Sequence, residues 1–142
     1  MIKKTTRAII VIIVLVSIFS TSASAATTAS KYIWSTTVGI SKNNSNTVDV
    51  SFSITGTGYM DKIGAAVITI YKSDGTSVAT YSYTNTSYAY MMAYNTYYHC
   101  GDVYFTGTPG ESYYAVVGFL ADKDGGGDTH TMTTSTVTIP TT

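Results

Sequence analysis

A strict alternation of apolar and polar residues over positions 48–55 (VDVSFSIT) constrains the fold of this 142-residue chain more than any other feature. Every even position in this stretch is apolar and every odd position is polar. Successive side chains of a β-strand point to opposite faces of the sheet, so the pattern predicts a strand with one buried and one solvated face. A helix would not separate the two residue classes in this way.

Six further segments carry strand signals and are separated by turn-forming residues. In the first, Trp34, Thr36, Val38 and Ile40 would share one face of a strand. The other five predicted strands are 65–72, which is apolar on both faces, 78–83, 102–106, 112–121 and 131–139. Turns recur about every 8 to 12 residues, which is typical of a two-sheet sandwich. We therefore expect a single all-β domain, a seven-stranded antiparallel β-sandwich.

The N-terminal segment has the pattern of a secretory signal peptide. A basic start with Lys3, Lys4 and Arg7 precedes the apolar run 8–19, and the small residues of 23–25 (ASA) follow. Crossing a bilayer takes about 20 apolar residues, so the run is too short for a membrane span. We expect cleavage after this tripeptide, only transient contact with the membrane, and a secreted, extracellular product.

Removing residues 1–25 as a signal peptide would leave 26–142 as the β-sandwich domain and would change the charge balance. The whole chain is formally neutral, whereas 26–142 holds five Lys and no Arg against seven Asp and one Glu, a net charge of −3. No basic cluster remains that could neutralise phosphates, so we expect no nucleic-acid partner. Thr and Tyr dominate this part of the chain, and both residue types favour strands.

The segment 109–117 (PGESYYAVV) resembles the sixth strand of fibronectin type III and immunoglobulin-like domains. In those folds a Tyr at the start of the strand hydrogen-bonds through its hydroxyl to the preceding connection. The resemblance assigns that position to Tyr113, which is in phase with Ala115 and Val117. Tyr114 is the alternative, in phase with Val116.

Two segments, 70–76 (IYKSDGT) and 110–128 (GESYYAVVGFLADKDGGGD), are similar to small secreted proteins of unknown function from Gram-positive, clostridia-like bacteria. The resemblance extends loosely over residues 60–140. It implies an immunoglobulin-like or fibronectin type III-like sandwich of bacterial origin that acts outside the cell. Its motifs specify a fold and carry no chemistry.

Candidate catalytic residues are few. Cys100 is the only cysteine, and His99 beside it would point to the opposite face of a strand. His130 could reach Cys100 only from the last hairpin, and a thiol nucleophile also needs a third group that orients its base. The single glutamate, Glu111, follows a Pro-Gly turn, and no G-x-S-x-G nucleophile motif occurs. We expect no enzymatic activity and no cofactor.

Three carboxylates, Asp122, Asp124 and Asp128, fall within seven residues and form a weak calcium candidate. Hard oxygen ligands suit calcium, but the spacing departs from that of an EF-hand loop. Asp and Gly are also the usual residues of a solvated hairpin tip, because both tolerate left-handed backbone. We favour the hairpin tip over the metal site.

The segment 87–100 (SYAYMMAYNTYYHC) is the most unusual in the chain, with five tyrosines. As a strand it would align Tyr88, Tyr90 and Tyr94 on one face; as a helix it would stack Tyr90, Tyr94 and Tyr97. These four residues are the candidate binding residues, since tyrosine combines flat apolar area with a hydrogen-bonding tip. Alternatively, the rings cover the open edge or end of the sandwich as core.

We therefore predict a non-enzymatic, extracellular binding or interaction role through this Tyr-rich connection. The partner would be an extracellular protein or a glycan. Carbohydrate binding, the alternative function, requires about three exposed and coplanar rings, whereas a protein contact requires only an exposed apolar patch.

Overall fold

A computed structural model describes residues 30–141, which are almost entirely antiparallel β-structure. The predicted all-β class is confirmed, and the predicted signal peptide lies outside the described residues. A short 3₁₀ helix covers Thr86–Met91. The strands are β1 (Ile33–Lys42), β2 (Thr47–Lys72), β3 (Ser77–Ser82), β4 (Met92–Thr106), β5 (Ser112–Lys123), β6 (Gly126–Thr133) and β7 (Val137–Thr138).

Strand β2 organises the whole sheet. It is 26 residues long and merges the predicted strands 48–55 and 65–72 into one, because the residues between them bend without turning back. Its first half, residues 47–55, lies between β1 and the end of β4. Its second half, residues 60–72, pairs with β5 on one side and with β3 and the start of β4 on the other. Strand β6 then pairs with β5.

The bend in β2 comes from an interruption of its pairing with β4. The register runs to Thr55 opposite Tyr98 and resumes at Met60 opposite Thr96, so residues 56–59 stand opposite Tyr97 alone. Extra residues in one strand kink it and let a single strand pass from one layer to another. We call this region, residues 56–59 with Tyr97, the corner.

The core lies between the two halves of the sheet. Phe52 of the first half meets Phe119 of the second half edge to face, with ring centroids 6.4 Å apart. The buried alternation predicted for 48–55 is confirmed, as is the one predicted for β5. The buried members of these two stretches are Val48, Val50, Phe52 and Ile54 of β2 and Tyr113, Ala115, Val117, Phe119 and Ala121 of β5.

Tyr113 makes the contact that the resemblance predicted for it. Its ring is buried, and its hydroxyl accepts a hydrogen bond from the backbone N–H of Thr108 at 2.9 Å. Tyr114, the alternative, lies outside the core and stacks on Tyr71 with ring centroids 5.3 Å apart. The hydroxyl of Tyr113 thereby ties the turn before β5 to the core.

Two β-bulges shift the faces of strands in ways that the sequence did not reveal. In β2, Ala65 pairs with Phe119 and Val67 with Gly118, so Ala66 is an extra residue that reverses the alternation. In β1, the register shift between Ile33 and Ser35 leaves Trp34 as the extra residue. The prediction that Trp34 shares one face of its strand with Thr36, Val38 and Ile40 is wrong, because the bulge takes it out of phase and its side chain is 76% exposed.

Two predicted strand boundaries also differ. Strand β4 starts at Met92, ten residues before the predicted 102–106, so the Tyr-rich segment is partly strand. The predicted last strand, 131–139, is divided into β6 and β7. Between them the side chain of Thr134 accepts a hydrogen bond from the backbone N–H of Ala115. This bond replaces regular pairing and lets the chain leave the sheet.

Candidate binding surface at the corner of the sheet

The four tyrosines predicted as one binding group fall into two groups. Tyr88 and Tyr90 lie on the 3₁₀ helix, whereas Tyr94 and Tyr97 lie on the first part of β4. The prediction could not choose between helix and strand for this segment, and the structure uses one after the other. Asn85 caps the start of the helix, and its side chain accepts a hydrogen bond from the backbone N–H of Ser87.

The tyrosines of the 3₁₀ helix pack against other residues of the fold or form hydrogen bonds with them. Tyr88 packs edge to face against Tyr81, with ring centroids 4.9 Å apart. The hydroxyl of Tyr81 donates to the carbonyl oxygen of Tyr104 at 2.9 Å, and that of Tyr90 donates to the carbonyl oxygen of Asp102 at 2.8 Å. Burial, and next the neighbouring Tyr88, raise the pKa of both Tyr81 and Tyr90. These hydroxyls are already engaged by the protein itself.

The tyrosines near the corner are exposed. Tyr94 is 60% exposed and Tyr97 is 51% exposed, and neither hydroxyl has a hydrogen-bond partner within residues 30–141. Tyr59, which the sequence analysis did not single out, is 65% exposed and lies edge to face against Tyr97 with ring centroids 5.6 Å apart. Pairing of β2 with β4 is what brings Tyr59 beside this segment.

Two further aromatic residues flank the corner. Tyr98 pairs with Thr55 of β2, and Ser35 of β1 pairs with the same Thr55 from the other side, next to Trp34. Trp34 and Tyr98 thus lie on the two strands that flank β2 near the corner. These two residues and the previous three are exposed aromatic residues of the strand segments around the corner, and we call the five together the corner aromatic surface: Trp34, Tyr59, Tyr94, Tyr97 and Tyr98.

The candidate catalytic residues do not come together. Cys100 is exposed on the outer face of the sheet opposite Ser53, whereas the ring of His99 lies toward Phe52 on the inner face. The Nε2 atom of His99 is 2.7 Å from the carbonyl oxygen of Tyr90. His130 is on β6, and the sheet places β2 and β5 between that strand and β4.

The three carboxylates of the β5–β6 hairpin have three different contacts. Asp122 forms an ion pair with Lys62 at 3.4 Å. Asp124 has a left-handed backbone at the hairpin turn, and its N–H donates to a carboxylate oxygen of Asp61. Asp128 accepts hydrogen bonds from the Ser30 hydroxyl and a backbone N–H, which lower its pKa. Within residues 30–141 no group of three metal-ligating side chains is present.

The outer face of the first half of the sheet carries a carboxyl pair that the sequence analysis missed. Asp49 and Asp102 lie on neighbouring strands, two residue pairs apart in register. Burial raises the pKa of Asp49, and the charge of Asp102 and a hydrogen bond to it raise that pKa further. The Oδ1 atom of Asp49 is buried without a hydrogen-bond partner in the part of the chain that is described. Protonation of Asp49 removes its buried charge and the repulsion between the two carboxylates.

A cleft of about 440 Å³ lies beside the corner, between the start of β1, residues 57–60 and the β5–β6 hairpin. Its lining includes two lysines, Lys31 and Lys123, and the apolar side chains of Tyr32 and Met60. Thr57 also lines it, and its hydroxyl donates to the carbonyl oxygen of Lys31 at 2.9 Å.

Comparison of the chain with protein families, curated proteins and solved structures found no match. Residues 30–141 contain no helix that is both long enough and apolar enough to span a bilayer. The chain's own residues are therefore the basis for assigning a function.

Proposed function

We propose that this protein is a secreted, non-enzymatic domain that binds an extracellular protein partner through the corner aromatic surface. The observation that carries the proposal is the contrast between two sets of tyrosines. The hydroxyls of Tyr81 and Tyr90 bond to backbone carbonyls, whereas those of Tyr59, Tyr94 and Tyr97 have no partner within residues 30–141. Solvent-exposed rings with free hydroxyls offer area and hydrogen bonding to another molecule.

The residue types at the corner suit a protein interface. Tyrosine and tryptophan are enriched among the residues that contribute most to protein–protein binding, and Trp34 is the only tryptophan in the chain. A folded domain normally buries its tryptophan at least in part, so the high exposure of Trp34 supports a contact role.

The angle between the rings favours a protein partner over a flat sugar platform. Tyr59 and Tyr97 are inclined at 70° to each other, so they cannot both stack on one plane. A ridged aromatic surface instead fits side chains between its rings. Carbohydrate binding by coplanar surface tyrosines is therefore the less favoured function for this surface.

The immunoglobulin-like or fibronectin type III-like architecture and export from the cell are part of the same proposal. The buried Tyr113 with its bond to Thr108, and two sheet layers on one core, support the architecture. The pattern of residues 1–25 supports export. N-terminal sequencing of the protein from culture medium should give Ala26 as the first residue, and an intact Met1 in the cell fraction alone would contradict export.

Site-specific photocrosslinking on the producing cell tests the binding role. A photoreactive phenylalanine analogue at Tyr97 or Tyr59 should crosslink one defined protein, and excess unlabelled domain should compete with it. The same analogue at Tyr114, a half-exposed tyrosine on the outer face of β5, serves as the matched control. The Tyr59→Ala/Tyr97→Ala domain should fold normally but fail to compete. Equal crosslinking at Tyr97 and Tyr114, or full competition by the double variant, would overturn the proposal.

A further inference from the structure

The cleft beside the corner brings two lysines together in a domain with few cations. Of the five lysines after residue 25, Lys62 pairs with Asp122 at 3.4 Å and Lys72 pairs with Glu111 at 3.7 Å. Lys31 and Lys123 have no ion pair within residues 30–141, and both line the cleft. Two of the three remaining cations therefore converge on one concave site, although carboxylates outnumber lysines in the domain. This convergence favours an anionic ligand.

The walls of the cleft are held in place before any ligand binds. The backbone N–H of Tyr32 donates to Asp128 at 2.8 Å, and the carbonyl oxygen of Tyr32 accepts from the N–H of Thr57 at 3.0 Å. The Tyr32 hydroxyl lies against Gly126, where a Cβ atom would come within 2.6 Å of it. A preformed wall lowers the ordering cost of binding.

The cleft combines charge with an apolar surface. The Nζ atom of Lys31 lies 5.1 Å from the centroid of the Tyr32 ring, and the buried side chain of Met60 also lines the site. A fitting ligand therefore has an anionic group and a flat ring with an apolar face. The volume of about 440 Å³ is in the range of small-molecule sites and holds one or two sugar rings.

Carboxylates around the cleft limit the charge of the ligand. Asp124 is part of the lining, Asp61 contacts its backbone, and Asp128 holds Tyr32. They disfavour a ligand with several negative charges, such as a nucleic acid or a polyphosphate. They also offer acceptors for ligand hydroxyl groups.

We propose that this cleft binds a sugar that carries a single negative charge, a uronic acid residue. The ammonium groups of Lys31 and Lys123 pair with its carboxylate, the sugar ring lies against Tyr32, and the Asp124 carboxylate accepts from its hydroxyls. The site is separate from the corner aromatic surface. Sugar binding there would be a function in addition to the binding of a protein partner.

Calorimetric titration of residues 26–142 with a galactose tetramer in which one residue is galacturonic acid tests the proposal, with the neutral galactose tetramer, a singly sulfated galactose tetramer and acetate as comparisons. The galacturonate-containing tetramer should bind saturably and at least about tenfold more tightly than the neutral one, with affinity falling as salt rises. Equal binding of the neutral tetramer, binding of acetate as tight as that of the galacturonate-containing tetramer, or no saturation would overturn the proposal. Tighter binding of the sulfated tetramer would also overturn it in favour of a sulfated sugar.

Four variants locate the site. Lys31→Gln/Lys123→Gln should weaken galacturonate binding at least about tenfold, while Lys42→Gln, which removes a lysine outside the cleft, should leave it unchanged. Asp124→Asn should tighten binding, because it removes a negative charge from the lining of the cleft. Asn tolerates the left-handed backbone at this position. A Lys42→Gln variant as weak as the double variant, or weaker binding by Asp124→Asn, would contradict the assignment. Tyr97→Ala should retain galacturonate binding, which separates this site from the corner aromatic surface.

Discussion

The two halves of β2 belong to one strand but differ in how regularly their residues alternate between the core and the outer face. Residues 47–55 alternate strictly between the core and a solvated face of Ser, Thr and Asp side chains. Residues 60–72 contain the extra residue Ala66, and three consecutive positions, 63–65, are buried because the segment around Met91 packs over them. The pattern of a strand therefore depends on what covers its outer face as much as on its own sequence.

The substitution with the largest expected effect tests whether the two halves of β2 share one core. Phe52→Ala should lower the free energy of unfolding by about 4 kcal/mol, because it removes a buried ring that contacts Phe119 of the other half. Urea unfolding followed by fluorescence and circular dichroism should show one coincident transition. Ser51→Ala, on the outer face, should change stability by less than about 0.5 kcal/mol. A Phe52→Ala loss below about 1 kcal/mol would mean that the halves are packed independently.

A glycine substitution sharpens the contrast in the second half. A Cβ atom at Gly64 would overlap the carbonyl oxygen of Met91, so Gly64→Ala should cost about 3 kcal/mol. Gly58→Ala is the matched control at the corner, because nothing lies within 4 Å of its Cβ position. Thermal unfolding of the two variants gives the comparison. Equal melting temperatures would show that the segment around Met91 does not constrain β2.

A hydroxyl deletion tests a bond between the two halves. Tyr81 of β3 belongs to the second half, and its hydroxyl donates to Tyr104 in the first half. Tyr81→Phe should cost about 1 kcal/mol, since a partly buried carbonyl loses its donor. Tyr94→Phe, which removes a hydroxyl without a partner in the described residues, should leave the unfolding midpoint in urea unchanged. A comparable loss of stability in both variants would contradict the distinction between tyrosines whose hydroxyls bond to the backbone and tyrosines whose hydroxyls have no partner in the described residues.

The smallest expected effect concerns pH and the first half alone. The raised pKa of Asp49 means that the folded state holds its proton more strongly than the unfolded chain does. This stabilising contribution is complete below the ordinary aspartate pKa of 3.8 and is lost as pH rises through the higher folded value. Asp102→Asn removes the charge that contributes to the shift and leaves burial, its largest cause.

The Asp102→Asn variant should therefore lose less stability than the natural chain as pH rises from 3 to 7. Melting temperatures across this range provide the measurement. Asp124→Asn, at an exposed turn, should keep the pH profile of the natural chain. A steeper decline in Asp102→Asn would show that Asp102 stabilises the ionised form of Asp49.

Much of the fold was predictable because it depends on local patterns. The alternation at 48–55 and the position of Tyr113 before an in-phase apolar run both identify buried faces directly. The continuity of β2 was not predictable, since residues 56–59 bulge only in response to their pairing with β4. The exposure of Trp34 was missed for a similar reason, because a β-bulge depends on the partner strand.

The candidate site was predictable only in part. Tyr94 and Tyr97 were named from the density of aromatic residues, but nothing local distinguishes them from Tyr88 and Tyr90. Tyr90 differs because its hydroxyl donates to the carbonyl oxygen of Asp102, on a distant part of β4. Tyr59 is nearly 40 residues away from Tyr97 in sequence, and only the strand register brings the two rings together.

Two tyrosine hydroxyls that bond to β4 also cover part of its open edge. Over residues 98–106, β4 pairs with β2 on one side only, and an open strand edge is a template for fibre growth. The hydroxyls of Tyr81 and Tyr90 donate to the carbonyl oxygens of Tyr104 and Asp102 at that edge. A second chain adding to the sheet there would first have to break both bonds and displace two rings, which disfavours edge-to-edge pairing at these residues.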